Sequence, residues 1–510
     1  MFTYVQDSWR ITPKLTVNYG LRWELYFPET VNGKGQGGFP DLNTGEIRVA
    51  GYGPFDTAMN VSKTWKTLAP RVGVAYQLNE KTVIRTGYGR SFDIGVFGSI
   101  FGHMLTQNLP VLVNQNLTNS GANTAAFNLA VGPTAFVFPA VPSSGLIPIG
   151  VGNNAKIRSD PNVFPTIDAW NFAVQRELTN STSVTVAYVG NKGTHTFMGD
   201  DKSTNPNEPA PCLPASQSIT GQALCYNPAA PAGSLTETSD TSQLRPYFSK
   251  FGFTQDLTFY HNGFDTNYNA LQVSFEKRFS QGLQLNANFA LQRGYNYGSD
   301  EEVYKKVLWG RLDDLREKQL TVFGNYDLPF GKGKHFGGGV PTWLNYVIGG
   351  YALSTSIDWA SGLPFTAALS NCSPFTPAGP CRPNKGSGSF PLKLTSFDPT
   401  THSRTYFIPP GLGGAFTSPS LDQTGTSPRN AFTGPGLFNA DLSLMKTFPI
   451  RETVAVEFRV DAFNVFNIIN PGNPGNTCID CTVGSGAGTI HGMALGTAPR
   501  QLDFALTIKF

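Results

Sequence analysis

From Leu15 to Leu25 the odd positions read Leu, Val, Tyr, Leu, Trp, Leu, while the even positions from Lys14 to Glu24 read Lys, Thr, Asn, Gly, Arg, Glu. Successive side chains of a β-strand point to opposite faces, so this period of two describes a strand with one apolar and one polar face. The same period returns at Trp170, Phe172 and Val174, at Leu283 through Leu291, at Val454 through Val460, and at Leu502, Phe504, Leu506, Ile508 and Phe510. It predicts thirteen strands over residues 2–11, 14–27, 67–78, 81–93, 166–178, 181–192, 265–279, 283–297, 312–328, 344–360, 436–449, 453–466 and 498–510. The residues between them supply the second constraint. Turns of two or three residues alternate with long loops, and the departure from that rhythm is the connection 329–343. A soluble sandwich has no reason to gather its long loops at one end, whereas an outer-membrane barrel has short periplasmic turns and long extracellular loops. Strands of soluble proteins also run shorter, typically ~5–6 residues. The expected fold class is therefore all-β, an antiparallel transmembrane β-barrel with long extracellular loops.

Composition agrees and excludes alternatives. Only 14% of the 510 residues are charged and 12% are aromatic, with 55 Gly and 37 Pro. That charge is low for a soluble enzyme, where about 25% is usual, and the aromatics argue against disorder. A net charge of +3 gives no reason to expect nucleic acid. Residues 94–155 carry no Asp, Glu, Lys or Arg, yet Asn, Thr, Ser, Gly and Pro interrupt them throughout. No stretch supplies the roughly 20 apolar residues of a spanning helix, so a membrane location requires strands closed into a barrel. Aromatic residues near the strand ends (Tyr26, Phe27, Phe92, Tyr295, Tyr297, Phe448, Phe466) suit two interfacial girdles.

Strand parity bears on the chain's extent. Single-chain bacterial barrels have even strand numbers, and thirteen is odd. With the last strand descending to a periplasmic C-terminus, the first descends too and residue 1 lies outside the cell. The chain opens Met1-Phe2-Thr3-Tyr4, without the basic start and apolar run of a signal peptide. The expectation is that residues 1–510 form a partial barrel domain, lacking signal peptide, plug and preceding strands.

Several segments then resemble a known family. Tyr4-Val5-Gln6-Asp7-Ser8-Trp9-Arg10 followed by Leu15-Thr16-Val17-Asn18-Tyr19-Gly20-Leu21-Arg22-Trp23-Glu24 resembles a mid-barrel hairpin of TonB-dependent outer-membrane transporters. Ala69-Pro70-Arg71-Val72-Gly73 with Thr86-Gly87-Tyr88-Gly89-Arg90 resembles the next hairpin. Ala187-Tyr188-Val189-Gly190-Asn191-Lys192-Gly193-Thr194-His195, Tyr326-Asp327-Leu328-Pro329-Phe330-Gly331 and Phe458-Arg459-Val460-Asp461-Ala462-Phe463-Asn464 are similar to the Oar-like subgroup. The resemblance covers nearly all strands and little of the loops. It implies a 22-stranded barrel of which these are the last thirteen strands, an N-terminal plug, a TonB box, and active uptake of a large or scarce solute across the bacterial outer membrane. The TonB complex would act through the missing N-terminal region. The terminal strand, with Phe504, Leu506, Ile508 and the aromatic Phe510 at alternate positions, resembles the signal read by the barrel assembly machinery.

The remaining motifs point away from catalysis. The six cysteines fall as Cys212 and Cys225, Cys372 and Cys381, and Cys478 and Cys481, each pair within one predicted loop. An even count at close spacing suggests local disulfides in an oxidising compartment, although six cysteines allow 15 pairings. Cys478-Ile479-Asp480-Cys481 is a C-x-x-C without a surrounding βαβ pattern, so a loop staple is expected rather than a redox or zinc centre. Gly33-Lys34-Gly35-Gln36-Gly37-Gly38 contains a G-x-G-x-x-G, but a dinucleotide site needs a strand before and a helix after it. Gly331-Lys332-Gly333-Lys334 reads as a basic periplasmic turn. The six His show no paired spacing and no G-x-S-x-G occurs, so no enzyme, cofactor or metal is expected. Asp313-Asp314-Leu315-Arg316-Glu317-Lys318 reads as a charged strand extension or loop facing water. Arg22, Glu24, Arg71, Arg85, Glu177, Glu276, Glu457, Arg459 and Asp461 stand opposite the apolar face and so point into a lumen, whereas Lys277, Arg293 and Lys446 break the rule and mark a membrane edge. The expected partners are outer-membrane lipid and an unidentified solute captured by loops 94–165, 193–264 and 361–435. The alternatives are a passive porin-like channel or surface adhesin on the same wall, and a soluble carbohydrate-binding β protein.

Overall fold

The computed structural model describes residues 1–61, 63–93, 102–113, 125–158, 163–198, 205–209, 212–213, 216, 224–225, 242–297, 309–370, 382–419, 425–451 and 453–510. Thirteen strands form one antiparallel meander in which each pairs with the next in sequence. They are β1 (Phe2–Thr12), β2 (Leu15–Glu24), β3 (Leu68–Asn79), β4 (Thr82–Phe92), β5 (Thr166–Thr179), β6 (Thr182–Met198), β7 (Thr258–Ser280), β8 (Leu283–Tyr297), β9 (Lys318–Asp327), β10 (Tyr351–Ala360), β11 (Leu437–Arg451), β12 (Val454–Phe463) and β13 (Gln501–Lys509). Among the described residues β1 pairs only with β2, and β13 only with β12.

Register makes the two faces continuous. Tyr19 lies opposite Val72, Val72 opposite Tyr88, and Tyr88 opposite Trp170. Val174 continues through Val186, Val273, Phe289, Leu320 and Trp359. At the end of the meander Val460 faces Leu444 and Phe504, and Phe458 faces Leu506. Many of these apolar side chains are exposed, among them Phe172, Tyr188, Phe458, Phe504 and Leu506. A soluble sheet would cover such a face; a wall in lipid leaves it open.

Charges on this outer face bound the apolar band. On β5, Asp168 and Arg176 stand on the same face as Trp170, Phe172 and Val174 between them. Eight residues at ~3.4 Å each span about 27 Å along the strand, or about 21 Å of height at a tilt near 40°, close to the ~25 Å apolar band of outer-membrane barrels. Lys277 lies near the short-turn end, opposite Thr182 and Leu285, and Arg293 lies near the long-loop end, where it faces Glu317 at 3.7 Å.

Two strand boundaries need correction. The expected strand 312–328 begins only at Lys318, because residues 312–317 turn away to bind a neighbouring loop. The expected strand 344–360 begins at Tyr351 and is preceded by a helix, Thr342–Ile348. Trp343, Tyr346 and Val347 recur at the three- and four-residue spacing of a helix face rather than at two, and Pro341 stands at its N-cap. Two strands also run further than expected at the loop end: β6 continues past Gly193 through a bulge at His195 (φ 56°), and β7 begins at Thr258.

The described parts of the long loops are folded. Residues from 25–67, 102–158 and 242–257 build a first lobe around a three-stranded sheet of Gly38–Asp41, Glu46–Val49 and Leu146–Pro148. Its core joins Ile47, Val49, Leu109, Ile147, Ile157 and Phe253. Residues of 361–436 and 464–500 build a second lobe around Phe365, Tyr406, Phe407 and Ile490, beside Phe416 and Ile479.

Candidate functional site

The surfaces available to a solute are the polar face of the wall and the two lobes at its long-loop end. All nine residues expected to point inward share the polar face. Arg22, Arg71 and Arg85 lie on adjacent strands β2, β3 and β4, and Arg22 pairs with Glu24 at 3.0 Å. The central strands present amides and hydroxyls that bond one another: Arg85 donates to Gln175 at 2.6 Å, Ser274 to Asn288 at 2.7 Å, Tyr268 to Gln292 at 2.6 Å and Ser354 to Asn325 at 2.6 Å. The last strands carry Asp358, Asp441, Asp461 and Asp503. Asp461 and Asp503 are directly opposite each other, a repulsive cross-strand pair, and Arg459 offsets it by binding Asp461 at 2.9 Å. Lys509 binds Glu457 at 2.6 Å. The face thus runs from arginines through neutral amides to carboxylates, with most charges already partnered. It can hydrogen-bond a polar solute along its length.

The lobes are fastened by buried polar groups. In the first, the Asn108 side chain donates to the carbonyls of Met104 and Lys156, both at 2.8 Å, and accepts from the Lys156 amide at 2.9 Å. Asn207, fully buried, accepts from the Tyr247 amide and donates to the Gln255 carbonyl at 2.7 Å. A Cβ on Gly38 would lie 1.9 Å from the Leu109 carbonyl oxygen. The last glycine of the G-x-G-x-x-G therefore serves loop packing, and it opens a strand rather than a helix.

The second lobe is tied to the wall by arginines that sequence reading missed. Arg429, almost wholly buried, donates to Asn296 at 2.9 Å, to the Arg311 carbonyl at 3.3 Å and to Asp313. Arg311 in turn donates to the carbonyls of Asn430 at 2.6 Å and Phe432 at 2.7 Å. Asp313, expected in a water-facing charge run, is thus a docking point. Tyr406 donates to the Thr433 carbonyl at 2.7 Å, and burial pushes its phenol above the usual range. Arg316, held against the Ser361 carbonyl at 2.7 Å, is lowered by burial.

The cysteines divide three ways. Cys478 and Cys481 are joined by a disulfide with Cα atoms 5.6 Å apart. The Asp480 between them accepts from the Ser370 amide at 2.7 Å and its hydroxyl at 2.9 Å, so neither the thiols nor the carboxylate is free to ligate a metal. Cys212 and Cys225 are register partners in a short antiparallel pair. Cys372 and Cys381 lie outside the described residues. Phe504, Leu506 and Ile508 stand exposed on the apolar side of β13, and Phe510 follows it, also exposed.

A family model described as "Outer membrane beta barrel domain" matches residues 1–503. Among solved structures, the ferric-catecholate import receptor Fiu from E. coli K12 matches at TM-score 0.40 and 10% identity, over 100% of this chain and 44% of that one. The ferripyoverdine receptor of the outer membrane of Pseudomonas aeruginosa matches at TM-score 0.41 and 11% identity, over 100% and 38%. BauA, the ferric preacinetobactin receptor from Acinetobacter baumannii, matches at TM-score 0.41 and 9% identity, over 100% and 42%. The chain therefore spans less than half the length of each of these three. No curated protein matches it.

Proposed function

This chain belongs to the outer membrane β-barrel domain family, and from that premise we propose that it is the C-terminal wall of an Oar-like, TonB-dependent transporter in the bacterial outer membrane. The observation that carries the reading is the pair of open edges. Thirteen strands form a meander whose first and last members have no partner on their outer sides among the described residues, and open sheet edges do not occur within the hydrocarbon core of a membrane. On this reading further strands complete the wall, and the resemblance of the hairpins to 22-stranded transporters would make them nine, preceded by a plug. In that machine the polar face lines the lumen, the two packed lobes form the outer receptor surface, and the terminal strand with Phe504, Leu506, Ile508 and Phe510 is read by the barrel assembly machinery. The solute is large or scarce, and TonB supplies energy through the N-terminal region. The residues of 1–510 carry capture and passage, with no catalytic step.

The test is the coding sequence upstream of Met1, followed by uptake in cells carrying the intact gene. A plug and TonB box upstream, with solute uptake abolished by collapsing the proton gradient, is the expected result. A signal peptide leading directly into strands, with uptake indifferent to the gradient, overturns the reading in favour of a passive channel or adhesin on the same wall.

A further inference from the structure

The connection between β9 and β10 breaks the pattern of tight turns at the short-turn end, and its helix is the place to ask why. Helix Thr342–Ile348 exposes Trp343, Tyr346 and Val347, at 68%, 40% and 59% of their surface. Positions i, i+3 and i+4 share one helix face, so this face is apolar and aromatic, and it stands exposed. Phe330 and Phe336, stacked at 5.5 Å, and Ile450 add exposed apolar surface at the same end.

Lys446 shows on which side of the wall the helix lies. It pairs with Tyr351 and Phe458 on the apolar, outer face. Its ammonium sits 4.1 Å from the Tyr351 ring centroid and 5.1 Å from that of Phe448. It donates to the carbonyls of Val347, at 3.4 Å, and Gly349 at the helix C-terminus. A cation there answers the negative end of the helix dipole. The Tyr346 hydroxyl donates to the Pro449 carbonyl at 2.9 Å. The helix is thus stapled to the outside of the wall at the lower edge of the apolar band, not across the lumen mouth. Lys332, Lys334 and Arg451 are exposed around it, Lys334 lying 3.8 Å from the Asp327 carboxylate.

We propose that residues 328–350 form a lipid anchor, with Trp343, Tyr346 and Val347 seated at the headgroup boundary of the inner leaflet and the surrounding cations engaging anionic phospholipid phosphates. Two observations select lipid as the occupant. The helix face is continuous with the lipid-facing band through Lys446 and Tyr351, and the rim is basic. Amphipathic aromatic side chains settle at such interfaces, and short helices lie in them when an apolar face is bordered by Lys and Arg. Lys446 ceases to be an anomaly on the lipid face: it fastens the anchor to the wall. The inference rests on the membrane wall alone and stands or falls separately from transport.

The test isolates Trp343 among the 7 tryptophans as the difference in emission between the native protein and Trp343→Phe, which alters an exposed ring without touching the wall. Measurements use vesicles of phosphatidylcholine with and without phosphatidylglycerol, in which lipid brominated near the headgroup or near the chain terminus acts as quencher. The expected result is loss of most Trp343 emission with the headgroup-proximal label and little with the terminal one. Lys332→Gln with Lys334→Gln should weaken that quenching only where phosphatidylglycerol is present. Trp343 emission untouched by either label, or quenched more by the terminal one, overturns the anchor. Quenching that ignores phosphatidylglycerol overturns its recognition of anionic phosphate.

Discussion

Replacing Arg429 by alanine should free the second lobe from the wall without unfolding either. The Arg429 side chain is 2% exposed, and its guanidinium serves Asn296, the Arg311 carbonyl and Asp313. Two neutral acceptors at about 1 kcal/mol each and one charged acceptor at about 1.5–3 sum to roughly 4 kcal/mol. Asp313 is 60% exposed, so water screens its share and re-solvates it after truncation, which brings the expected cost to about 3 kcal/mol. Asp313→Asn leaves the other two acceptors in place and should cost about 1 kcal/mol. The loss is local, because the wall strands keep their own ladders. Native-state hydrogen exchange on the detergent-solubilised protein reads it directly. Amides of residues 427–433 should exchange roughly 100-fold faster in Arg429→Ala, from 1.4 kcal/mol per tenfold, and several-fold faster in Asp313→Asn, while β6 and β7 keep their protection. The reasoning is refuted if 427–433 exchange at the native rate in Arg429→Ala, or if the two variants are equal.

The two faces of the wall should respond oppositely to one arginine. Val186 lies in the apolar band between Val174 and Val273, and its neighbour Thr185 faces Gln175 and Ser274 on the polar side. Val186→Arg should cost about 2–4 kcal/mol in urea unfolding from lipid vesicles, while Thr185→Arg stays within about 0.5 kcal/mol of native; equal costs would show that the apolar face is not in lipid. In the first lobe, burial raises Glu29 above the ordinary carboxylate range, partly countered by Arg158. A carboxyl whose folded pKa is raised gives stability that is full below its unfolded value, about 4.3, and lost as pH rises through the folded one. Protection of the Val31 amide, bonded to the Thr57 carbonyl at 3.0 Å, should therefore fall from acid to neutral pH and become flat in Glu29→Gln; a native profile in that variant would reject the assignment.

The wall was legible because every one of its strands repeats a two-residue period between turns, and a one-residue slip would expose the wrong face along its whole length. Leu283–Tyr297 coincides with its expected bounds, and each of the other strands was located. The helix Thr342–Ile348 was absorbed into a strand because Leu344, Tyr346 and Ile348 also satisfy an alternating reading over so short a stretch. Only the Trp343 and Val347 positions speak for a helix there. The lobes were invisible for another reason. Ile47, Ile147 and Phe253 meet in one core from three loops, and Arg429 meets Asp313 across 116 residues. No local period encodes such contacts. The disulfide Cys478–Cys481 needed only its spacing to be suggested, and its surroundings, Asp480 bound by Ser370, decided against a metal.

Charge on the outer face turns out to be a ruler rather than noise. Asp168, Arg90 and Lys192 stand together at the long-loop end, where Arg90 binds Asp168 at 2.8 Å. Arg176, Lys277 and Lys446 stand at the short-turn end. Every one is near an edge of the band, where polar headgroups and water reach it and the cost of a charge falls toward zero. The exception is Asp7, which sits opposite Tyr19 in the middle of β1 and accepts from its hydroxyl at 3.1 Å. On an inner strand such a carboxylate would have two flanking strands to shield it. On β1 one flank is open among the described residues, and the Tyr19 hydroxyl and the Ser8 amide answer it. The residue that breaks the ruler therefore lies on an edge strand, where one flank of the carboxylate faces no neighbouring strand among the described residues.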